Sequence, residues 1–412
     1  MPLQVAVGAF LAGPLLTYAG RKYSIMGVGV LFFIGWSILA TASNKYFYIS
    51  GQVLCAISTG VLFAVFPVYI VETVRPDFRG ALGLLPTAFK YCGATLSYIT
   101  GVLWDWSKMA CFATSLSVSF FLLMILTPES PRWYIAKNHP DKARKSLQWL
   151  RGQNYNIENE IQDLTRSQIE ANKSTANAFT QMFYMENIPA VLIPIALMLF
   201  QQLSGSNVII YYSQTISDKS SGIDLTLFGV ILGITSIVAT LISIVLIDRI
   251  GRKILLYISS WSMIISLILL AAVAYVHESS ISVGLLSRAC VILHVFGLSL
   301  GYESIPWLIL GEILPLRIRD TAASLITGVN WIFTFYVSIM FPNILRSITL
   351  NGSMVFFVVI HLIELLFVIF CVTETCGKSL EEIELNLTQR VKNVNGNADV
   401  NPDTNADVNG DA

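Results

Sequence analysis

Charge is scarce in this sequence. Only 13% of its 412 residues are charged, whereas a soluble domain carries about 25%. Hydrophobic residues make up 54% of the chain and the mean hydropathy is +0.65. This balance excludes an ordinary soluble domain and a nucleic-acid-binding protein. It predicts an all-α polytopic membrane protein, because helices satisfy their own backbone hydrogen bonds inside lipid.

Cysteine and histidine are also few, with six and four residues respectively. Their spacing matches neither a metal site nor a disulfide framework. The sequence shows no nucleophile paired with a base, so we expect no cofactor, no metal and no enzyme activity. A cleavable signal is absent too, since Met1 leads almost directly into an apolar run that predicts an uncleaved span.

Apolar runs of about 20 residues predict eleven spans. They lie near 3–18, 24–42, 48–71, 81–104, 109–127, 188–213, 225–247, 254–276, 284–311, 320–345 and 353–372. Most Lys and Arg residues fall in alternate loops and in the tail. Cytoplasmic loops of membrane proteins are enriched in these residues, so we expect this charged side and the C-terminus to be cytoplasmic, in the plasma membrane. The exceptions are Lys45, Lys90, Lys108, Lys219, Arg288 and Arg346.

The sequence contains an internal repeat. Residues 17–22 and 248–253 both carry Gly-Arg-Lys, and each half later has a glutamate seven residues before an arginine. Parallel duplication is a transporter architecture with its site between the halves. We predict an N-terminal half over 1–127, a cytoplasmic helical segment over 128–187, a C-terminal half over 188–373, and a cytoplasmic tail over 374–412 that is disordered after about 393.

The two copies of the repeat differ in length. Two spans precede Gly251 in the second half, but one span precedes Gly20 in the first. The pattern therefore predicts eleven spans of a twelve-span design, with the first helix missing from this chain.

A polar cluster interrupts the apolar run 188–212. Gln201, Gln202 and Asn207 offer both donors and acceptors, which is the chemistry that polyols require. Such groups are costly in lipid unless they face a wet cavity or a ligand. Hydrogen bonds to neighbouring helices are the alternative. The size of the cluster favours a lined cavity.

Several motifs resemble those of the sugar porters of the major facilitator superfamily. They include Pro-Glu-Ser-Pro-Arg at 128–132, Gln-Gln-x-Ser-Gly-x-Asn at 201–207, Asp-Arg-x-Gly-Arg-Lys at 248–253 and Pro306-Trp307. Residues 83–89 and 308–315 look particularly like insect facilitated trehalose transporters. The resemblance implies a major facilitator fold that moves trehalose or a hexose by facilitated transport with alternating access. Sugar and the lipid bilayer are the expected partners, without nucleic acid.

The resemblance also implies roles for matching residues. The substrate-binding set is Gln201, Gln202, Asn207, Trp307, Asn330, Thr87 and Ser236. An extracellular gate is implied at Tyr211 and Tyr212, although an aromatic belt at the membrane interface is an alternative. A cytoplasmic gate, with its charges paired across the halves, is implied at Arg21, Glu72, Arg79, Glu129, Arg132, Arg249, Arg252, Glu312, Arg319 and Glu374. Charges that only set topology are the alternative.

Some residues depart from the family pattern. Thr17 replaces an acidic residue, which predicts the loss of one partner of the cytoplasmic gate, and Asp320 replaces a glycine. Tyr302 and Glu303 replace a Gly-Pro pair, which predicts a helix that bends less easily. Glu303 and Lys90 are ionisable groups within spans, where they are functional candidates or signs of relaxed constraint.

Two rival functions follow from these departures. A proton-coupled sugar symporter would need a carboxyl to carry the proton, and Glu303 is the candidate that the sequence offers. A transport-dead sugar sensor, or a degenerate or truncated paralogue, would explain the departures and the missing helix.

Overall fold

The computed structural model describes residues 1–172, 177–205, 225–275, 281–347 and 350–396, and this part of the chain is helical. The N-terminal half contains α1 to α5, and the segment that follows contains α6 to α9. The bounds are α1 Pro2–Tyr18, α2 Arg21–Ala40, α3 Lys45–Thr73, α4 Arg79–Leu103, α5 Trp106–Leu126, α6 Pro131–Ala136, α7 Pro140–Arg151, α8 Glu158–Asn172 and α9 Ala178–Gln181.

The C-terminal half contains α10 to α16, and α17 follows it. The bounds are α10 Ile188–Leu203, α11 Leu225–Ile250, α12 Arg252–Tyr275, α13 Ile281–Gly297, α14 Ile305–Ile313, α15 Arg319–Ser347, α16 Leu350–Phe370 and α17 Leu380–Gly396. A π-helical turn, Leu298–Tyr302, joins α13 to α14. The predicted disordered tail begins near the end of α17, and its residues beyond Gly396 lie outside the described part.

The helices have the lengths and compositions of membrane spans. Eight helical stretches among the described residues are long and apolar enough to cross a membrane, and α1 and α10 are shorter apolar helices. The remaining predicted span corresponds to α4, which has 25 residues and carries Lys90. Exposed leucines such as Leu122, Leu123 and Leu126 cover the outside of α5. The molecule is a multi-pass helical membrane protein.

One apolar core runs through both halves. It includes Leu16 and Val65 from the first half and Leu197, Ile309 and Ile326 from the second. Two helix pairs form the most extensive contacts between the halves, α1 with α15 and α4 with α11. These two pairs are called the seams below, and the site lies between them.

The segment between the halves has a small core of its own. Ile135, Leu147, Ile161 and Leu164 are buried together, as the helical spacing of these apolar residues predicts. Arg151 donates from Nη1 to the Thr73 carbonyl at the end of α3, over 2.9 Å. The short helices therefore pack against the end of the bundle that holds the charged loops, which is called the charged end below.

Candidate functional site

A cavity of about 560 Å³ opens between the two halves. The first half contributes aromatic residues and one lysine from α3 and α4. The second half contributes amides, hydroxyls, two indoles and one glutamate. The side chains that line the cavity include Phe63, Lys90, Tyr91, Tyr98, Gln201, Gln202, Ser236, Glu303, Trp307, Asn330, Trp331 and Thr334.

Gln201 is fixed by a break in the helix opposite it. Pro306 has no N–H, so the carbonyl of Tyr302, four residues earlier, loses its helical donor. The Gln201 side chain replaces that donor, because its Nε2 donates to the carbonyls of Tyr302 at 3.0 Å and Glu303 at 2.9 Å. Both amide protons are thus used, and only Oε1 is left to accept a hydrogen bond from a ligand.

A π turn separates α13 from α14 at this break, a feature that the sequence did not predict. The expectation that Tyr302 and Glu303 make this helix less easily bent stays a prediction. Ser259 stabilises this turn, since its Oγ accepts from the Tyr302 N–H at 3.2 Å and donates to the Gly297 carbonyl at 2.6 Å. Side chains of neighbouring helices satisfy the freed backbone groups, so the interruption does not require the Gly-Pro pair.

A second amide pair faces the cavity beside Gln201. Gln202 Nε2 donates to Asn330 Oδ1 at 3.1 Å and links α10 to α15. Each amide keeps further donor or acceptor capacity after this bond. The structure therefore brings three predicted substrate-binding residues to one wall.

Aromatic rings form another wall. Phe63 packs between two indoles, with ring centroids 5.0 Å from Trp307 and 5.5 Å from Trp331. The Trp331 Nε1–H is buried and has no hydrogen-bond partner within the described residues. Buried donors are normally satisfied, so this N–H is an exception to that rule.

Lys90 and Glu303 form an ion pair inside the cavity, Nζ to Oε1. Lys90 belongs to α4 of the first half, and Glu303 follows the π turn in the second. Beside them, Ser299 Oγ donates to the Tyr91 hydroxyl at 3.0 Å. Two polar contacts thus join the halves within the cavity.

The other predicted site residues have different positions. Ser236 lines the cavity. Thr87 lies one helical turn of α4 nearer the charged end than Lys90 and Tyr91, outside the lining. Asn207, Tyr211 and Tyr212 lie outside the described residues, so their predicted roles stay predictions.

Sequence reasoning missed several lining residues, among them Phe63, Tyr91, Tyr98 and Trp331. Trp331 directly follows Asn330, and Tyr91 directly follows Lys90. Both are therefore next to residues that the sequence had singled out, and this could have identified them. Phe63 and Tyr98 gave none, because an aromatic residue in an apolar helix is ordinary.

A buried polar network holds the end of α10 next to the cavity. His361 lies 2.6 Å from Glu364 through Nδ1 and 3.2 Å from the Ser204 carbonyl through Nε2. Ser260 Oγ donates to Glu364 Oε1 at 2.6 Å. Both ring nitrogens of His361 thus lie within hydrogen-bond distance of an oxygen atom. Sequence analysis did not identify this network.

At the charged end of the first half, Arg21 is surrounded by acceptors. Its Nη2 donates to Glu72 Oε1 at 2.8 Å, and Glu72 Oε2 accepts from Ser130 Oγ at 2.6 Å. Glu129 accepts from the backbone N–H groups of Arg21 at 3.0 Å and Lys22 at 2.9 Å. The carboxylate therefore caps the start of α2, which has orphan N–H groups.

The second half repeats this arrangement. Arg252 Nη2 donates to Glu312 Oε1 at 2.9 Å, and Glu312 Oε2 accepts from Thr375 Oγ1 at 2.6 Å. Glu374 accepts from the backbone N–H groups of Arg252 at 3.1 Å and Lys253 at 3.0 Å. The internal repeat in the sequence thus corresponds to a repeated site.

Glycine is required where these capping carboxylates meet the backbone. Gly20 and Gly251 have φ of +90° and +92°, a conformation that L side chains rarely adopt. A Cβ on either glycine would also lie 2.5 Å from Oε2 of Glu129 or Glu374.

The expected pairing across the halves is wrong for part of these charges. Arg21–Glu72 and Arg252–Glu312 each lie within one half, and Glu129 and Glu374 each bind the backbone of their own half. Arg249 is exposed and takes no part in the contacts that the structure describes. The repeat places each carboxylate beside the arginine of its own copy.

Other contacts at the charged end do join the halves or reach the tail. Arg319 lies 3.8 Å from Glu72, and Arg79 donates to the Lys378 carbonyl at 3.3 Å. Arg132 donates to Glu381 of α17 at 2.8 Å. The remaining cross-half contacts involve Asp248, whose carboxylate accepts from the N-terminus of α4, and Asp320, which pairs with Arg21.

Carboxyls outside the spans differ in their electrostatic surroundings. Burial raises the pKa of Glu129, against the effect of the backbone N–H groups that it accepts. Burial also raises the pKa of Glu384. For Glu381 burial acts in the same direction, but the neighbouring Arg132 guanidinium outweighs it, and the pKa of Glu381 is lowered.

Comparison with known proteins identifies the family. The family described as "Sugar (and other) transporter" matches residues 1–387. A facilitated trehalose transporter from Bombyx mori is 50% identical over 96% of this chain and 79% of its own length. A second, from Drosophila grimshawi, is 42% identical over 98% of this chain but 44% of its own length.

Solved structures show the same fold. The bacterial proton:xylose symporter bound to 6-bromo-6-deoxy-D-glucose has a TM-score of 0.83 at 22% identity, over 94% of this chain and 87% of the other. The inward-open form of the Escherichia coli xylose transporter has a TM-score of 0.65 at 22% identity, over 93% and 88%. The chain is a membrane transport protein rather than an enzyme, and it belongs to the family of sugar (and other) transporters.

Proposed function

We propose that this protein is a facilitative sugar transporter that carries trehalose or a hexose down its gradient by alternating access. The observation that supports this most strongly is the cavity between the halves. Its volume of about 560 Å³ falls in the usual range for small-ligand sites. Amides beside indoles suit a sugar, since amides bind hydroxyls and an indole packs on the apolar face of a pyranose.

The charged end is proposed to be the cytoplasmic gate, closed in this conformation. Arg21, Glu72, Arg79, Arg132 and Arg319 take part in contacts that join the two halves or the tail. Several groups share these contacts, since Arg21 and Arg319 both lie near Glu72, so the end is held closed by a network whose cross-half contacts separate together when it opens. Two states separated by a few kcal/mol both stay populated.

The orientation follows from the same charges. Cytoplasmic loops are rich in Lys and Arg, and the charged end carries most of them, so we place it and the C-terminus in the cytoplasm of a plasma-membrane protein. Labelling of a cysteine introduced in α7, in intact and permeabilised cells, tests this. Labelling in intact cells would contradict it.

Uptake of labelled sugars by proteoliposomes tests the transport function. Saturable uptake of trehalose or D-glucose, but not of L-glucose, is expected, and it should stop when the two sides equilibrate. Gln202→Leu should lower uptake about tenfold, the effect of losing one good hydrogen bond to the sugar. Gln52→Leu is the matched control, because Gln52 bonds Tyr48 on an exposed part of α3 outside the cavity lining.

Two outcomes would replace this proposal. Accumulation against the gradient that an uncoupler abolishes would indicate the proton-coupled symporter. The pairing of Glu303 with Lys90 favours facilitated transport, since a proton carrier needs a carboxyl that is free to change its charge. Sugar binding without flux would indicate a sensor.

A further inference from the structure

The cavity contains two opposite charges from opposite halves of the protein. Lys90 lies on α4 and Glu303 lies between the π turn and α14, and their side chains are 44% and 21% exposed. Both groups line the same cavity as Gln201, Trp307 and Asn330. A ligand that contacts the predicted sugar-binding residues is therefore within reach of both charges.

The surrounding structure holds Glu303 in place. Its backbone carbonyl accepts from Gln201 Nε2 at 2.9 Å, and its N–H donates to the Leu298 carbonyl at 3.0 Å across the π turn. Interruptions of this kind are frequent at functional sites. The carboxylate is thus fixed at the point where the helix opens toward the cavity.

Lys90 is positioned from the other side. Its Nζ lies 4.8 Å from the centroid of the Tyr91 ring, whose hydroxyl accepts from Ser299. A single charge inside a membrane span is costly, and pairing with an opposite charge reduces the cost. The two side chains therefore depend on each other, and the net charge that they give the cavity is zero.

The pair offers a sugar both kinds of hydrogen-bonding group. The carboxylate accepts from hydroxyls, and the ammonium donates to hydroxyl or ring oxygens. A charged sugar gains no net electrostatic attraction from the pair, because one side chain attracts it and the other repels it. Removing either member leaves the cavity with a single sign of charge at low dielectric, where Coulomb interactions are strong.

We propose that Lys90 and Glu303 together determine the charge specificity of the site and restrict it to uncharged sugars. A sugar acid is excluded by Glu303, and an amino sugar is excluded by Lys90. This inference rests on the proposed function, since it describes which sugars the same cavity accepts. It assigns the two charges a role beyond a structural tie between the halves.

Competition with D-glucose uptake in proteoliposomes tests the proposal. Wild-type uptake should be inhibited by unlabelled D-glucose and much less by glucuronate or glucosamine. Glu303→Gln leaves a positive cavity, so inhibition by glucuronate relative to glucose should rise at least about tenfold. Lys90→Met leaves a negative cavity, so inhibition by glucosamine relative to glucose should rise by a similar factor.

Two further variants separate specificity from structure. The reversed pair Lys90→Glu/Glu303→Lys keeps both charges in the cavity and should show the wild-type preference for neutral sugar. The double variant Lys90→Met/Glu303→Gln has neither charge, so its discrimination against both glucuronate and glucosamine should fall. If the Lys90–Glu303 pair only tied the halves together, the two single variants would not shift the preference for charged sugars in opposite directions. Unchanged preferences in both single variants would overturn the proposal.

Variants that fold but do not transport are measured by sugar binding. Quenching of intrinsic tryptophan fluorescence reports ligand near Trp307 and Trp331 in purified protein, with the same three sugars. Asp105→Asn is the matched control, because Asp105 pairs with Lys108 at 3.2 Å on an exposed surface and should change no preference. If the wild-type protein neither transports nor binds D-glucose or trehalose, the proposed function fails. If it transports or binds one of them, but the single variants have the same charge preference as the wild type, only the present proposal fails.

Discussion

The charged ends of the two halves are built alike but differ in the origin of one carboxylate. In the second half, Asp248 lies one helical turn before Arg252 and accepts from its Nη1 at 3.0 Å. The corresponding position in the first half is Thr17, whose Oγ1 donates to the Gly13 carbonyl of its own helix at 3.1 Å. There, Asp320 of the opposite half accepts from Arg21 Nη2 at 2.6 Å.

This difference changes how each seam is joined. At the α4–α11 seam, Asp248 accepts the N–H groups of Gly80 at 3.1 Å and Ala81 at 2.8 Å, which are among the orphan donors of α4. At the α1–α15 seam, an ion pair, Arg21–Asp320, joins the halves instead. The acidic residue lost at Thr17 is therefore supplied from across the seam, and each arginine keeps two carboxylates.

The largest expected effect comes from the part that the halves share. Glu72→Gln or Glu312→Gln removes a fully buried carboxylate and leaves its arginine short of one partner. Each should lower the free energy of unfolding by about 3–5 kcal/mol, the cost of breaking a buried ion pair. Thermal unfolding in detergent checks this. Similar losses in both halves would support the equivalence of the two sites, and a loss in one alone would contradict it.

A smaller effect should come from moving the acid between the two positions. Asp320→Gly removes the ion pair to Arg21 and should cost about 2 kcal/mol, as for hydrogen bonds to charged groups. Thr17→Asp in the Asp320→Gly background recreates the arrangement of the second half and should restore most of that stability.

The thermal midpoints of the two single variants and the double variant form a cycle. Thr17→Asp alone adds a third carboxylate beside Arg21, which already binds Glu72 and Asp320, and it should not increase the stability. Additive effects in the cycle would show that Asp320 does not replace the missing acid.

Asp248→Asn should have a smaller effect again. The amide keeps one oxygen for the N-terminus of α4 but loses the charge that favours a helix N-terminus, so a loss of about 1 kcal/mol is expected. Thr17→Val is the matched control at the corresponding position, and a change within about 0.5 kcal/mol is expected for it. Equal effects of the two substitutions on thermal stability would contradict the proposed difference between the seams.

The smallest effect concerns pH and the contact between Arg132 and Glu381. The pKa of Glu381 is below its usual value of 4.5 in the folded protein. Its contribution to stability is therefore present above pH 4.5 and is lost as the pH falls through the lower folded value. Glu381 is 38% exposed, so the change should be below about 1 kcal/mol. Thermal midpoints of wild type and Glu381→Gln should converge at acid pH; a constant difference would contradict this.

Sequence reasoning predicted the helices better than the contacts. Apolar runs gave the eleven helical segments, and the repeat gave the equivalence of Arg21 and Arg252, because both are local patterns. It was wrong on the glutamate partners of these arginines, Glu72 and Glu312, which lie in the same half as each arginine. These pairings depend on the path of three helices in each half. Thr17 and Asp320 were recognised as two separate departures from the family pattern. That Asp320 compensates for the acid missing at position 17 depends on its contact with Arg21, and these two residues are 299 positions apart in the sequence.

The candidate site divides in the same way. Gln201, Gln202 and Asn330 lie near one another at the cavity, as does Trp307, which the resemblance to sugar porters brought in, and their role in binding stays a prediction. The π turn before α14 was not predicted, since the groups that stabilise it, Gln201 and Ser259, lie on other helices.

The sequence by itself determined that this protein is helical, membrane-embedded and duplicated, because hydropathy and repetition are properties of neighbouring residues. Only the tertiary structure decided that Lys90 and Glu303 form a pair, that Gln201 offers an acceptor rather than a donor, and that Asp320 takes the place of an acid at position 17. Charges and amides in a low-dielectric interior must find partners, and the partner is set by which helices pack together.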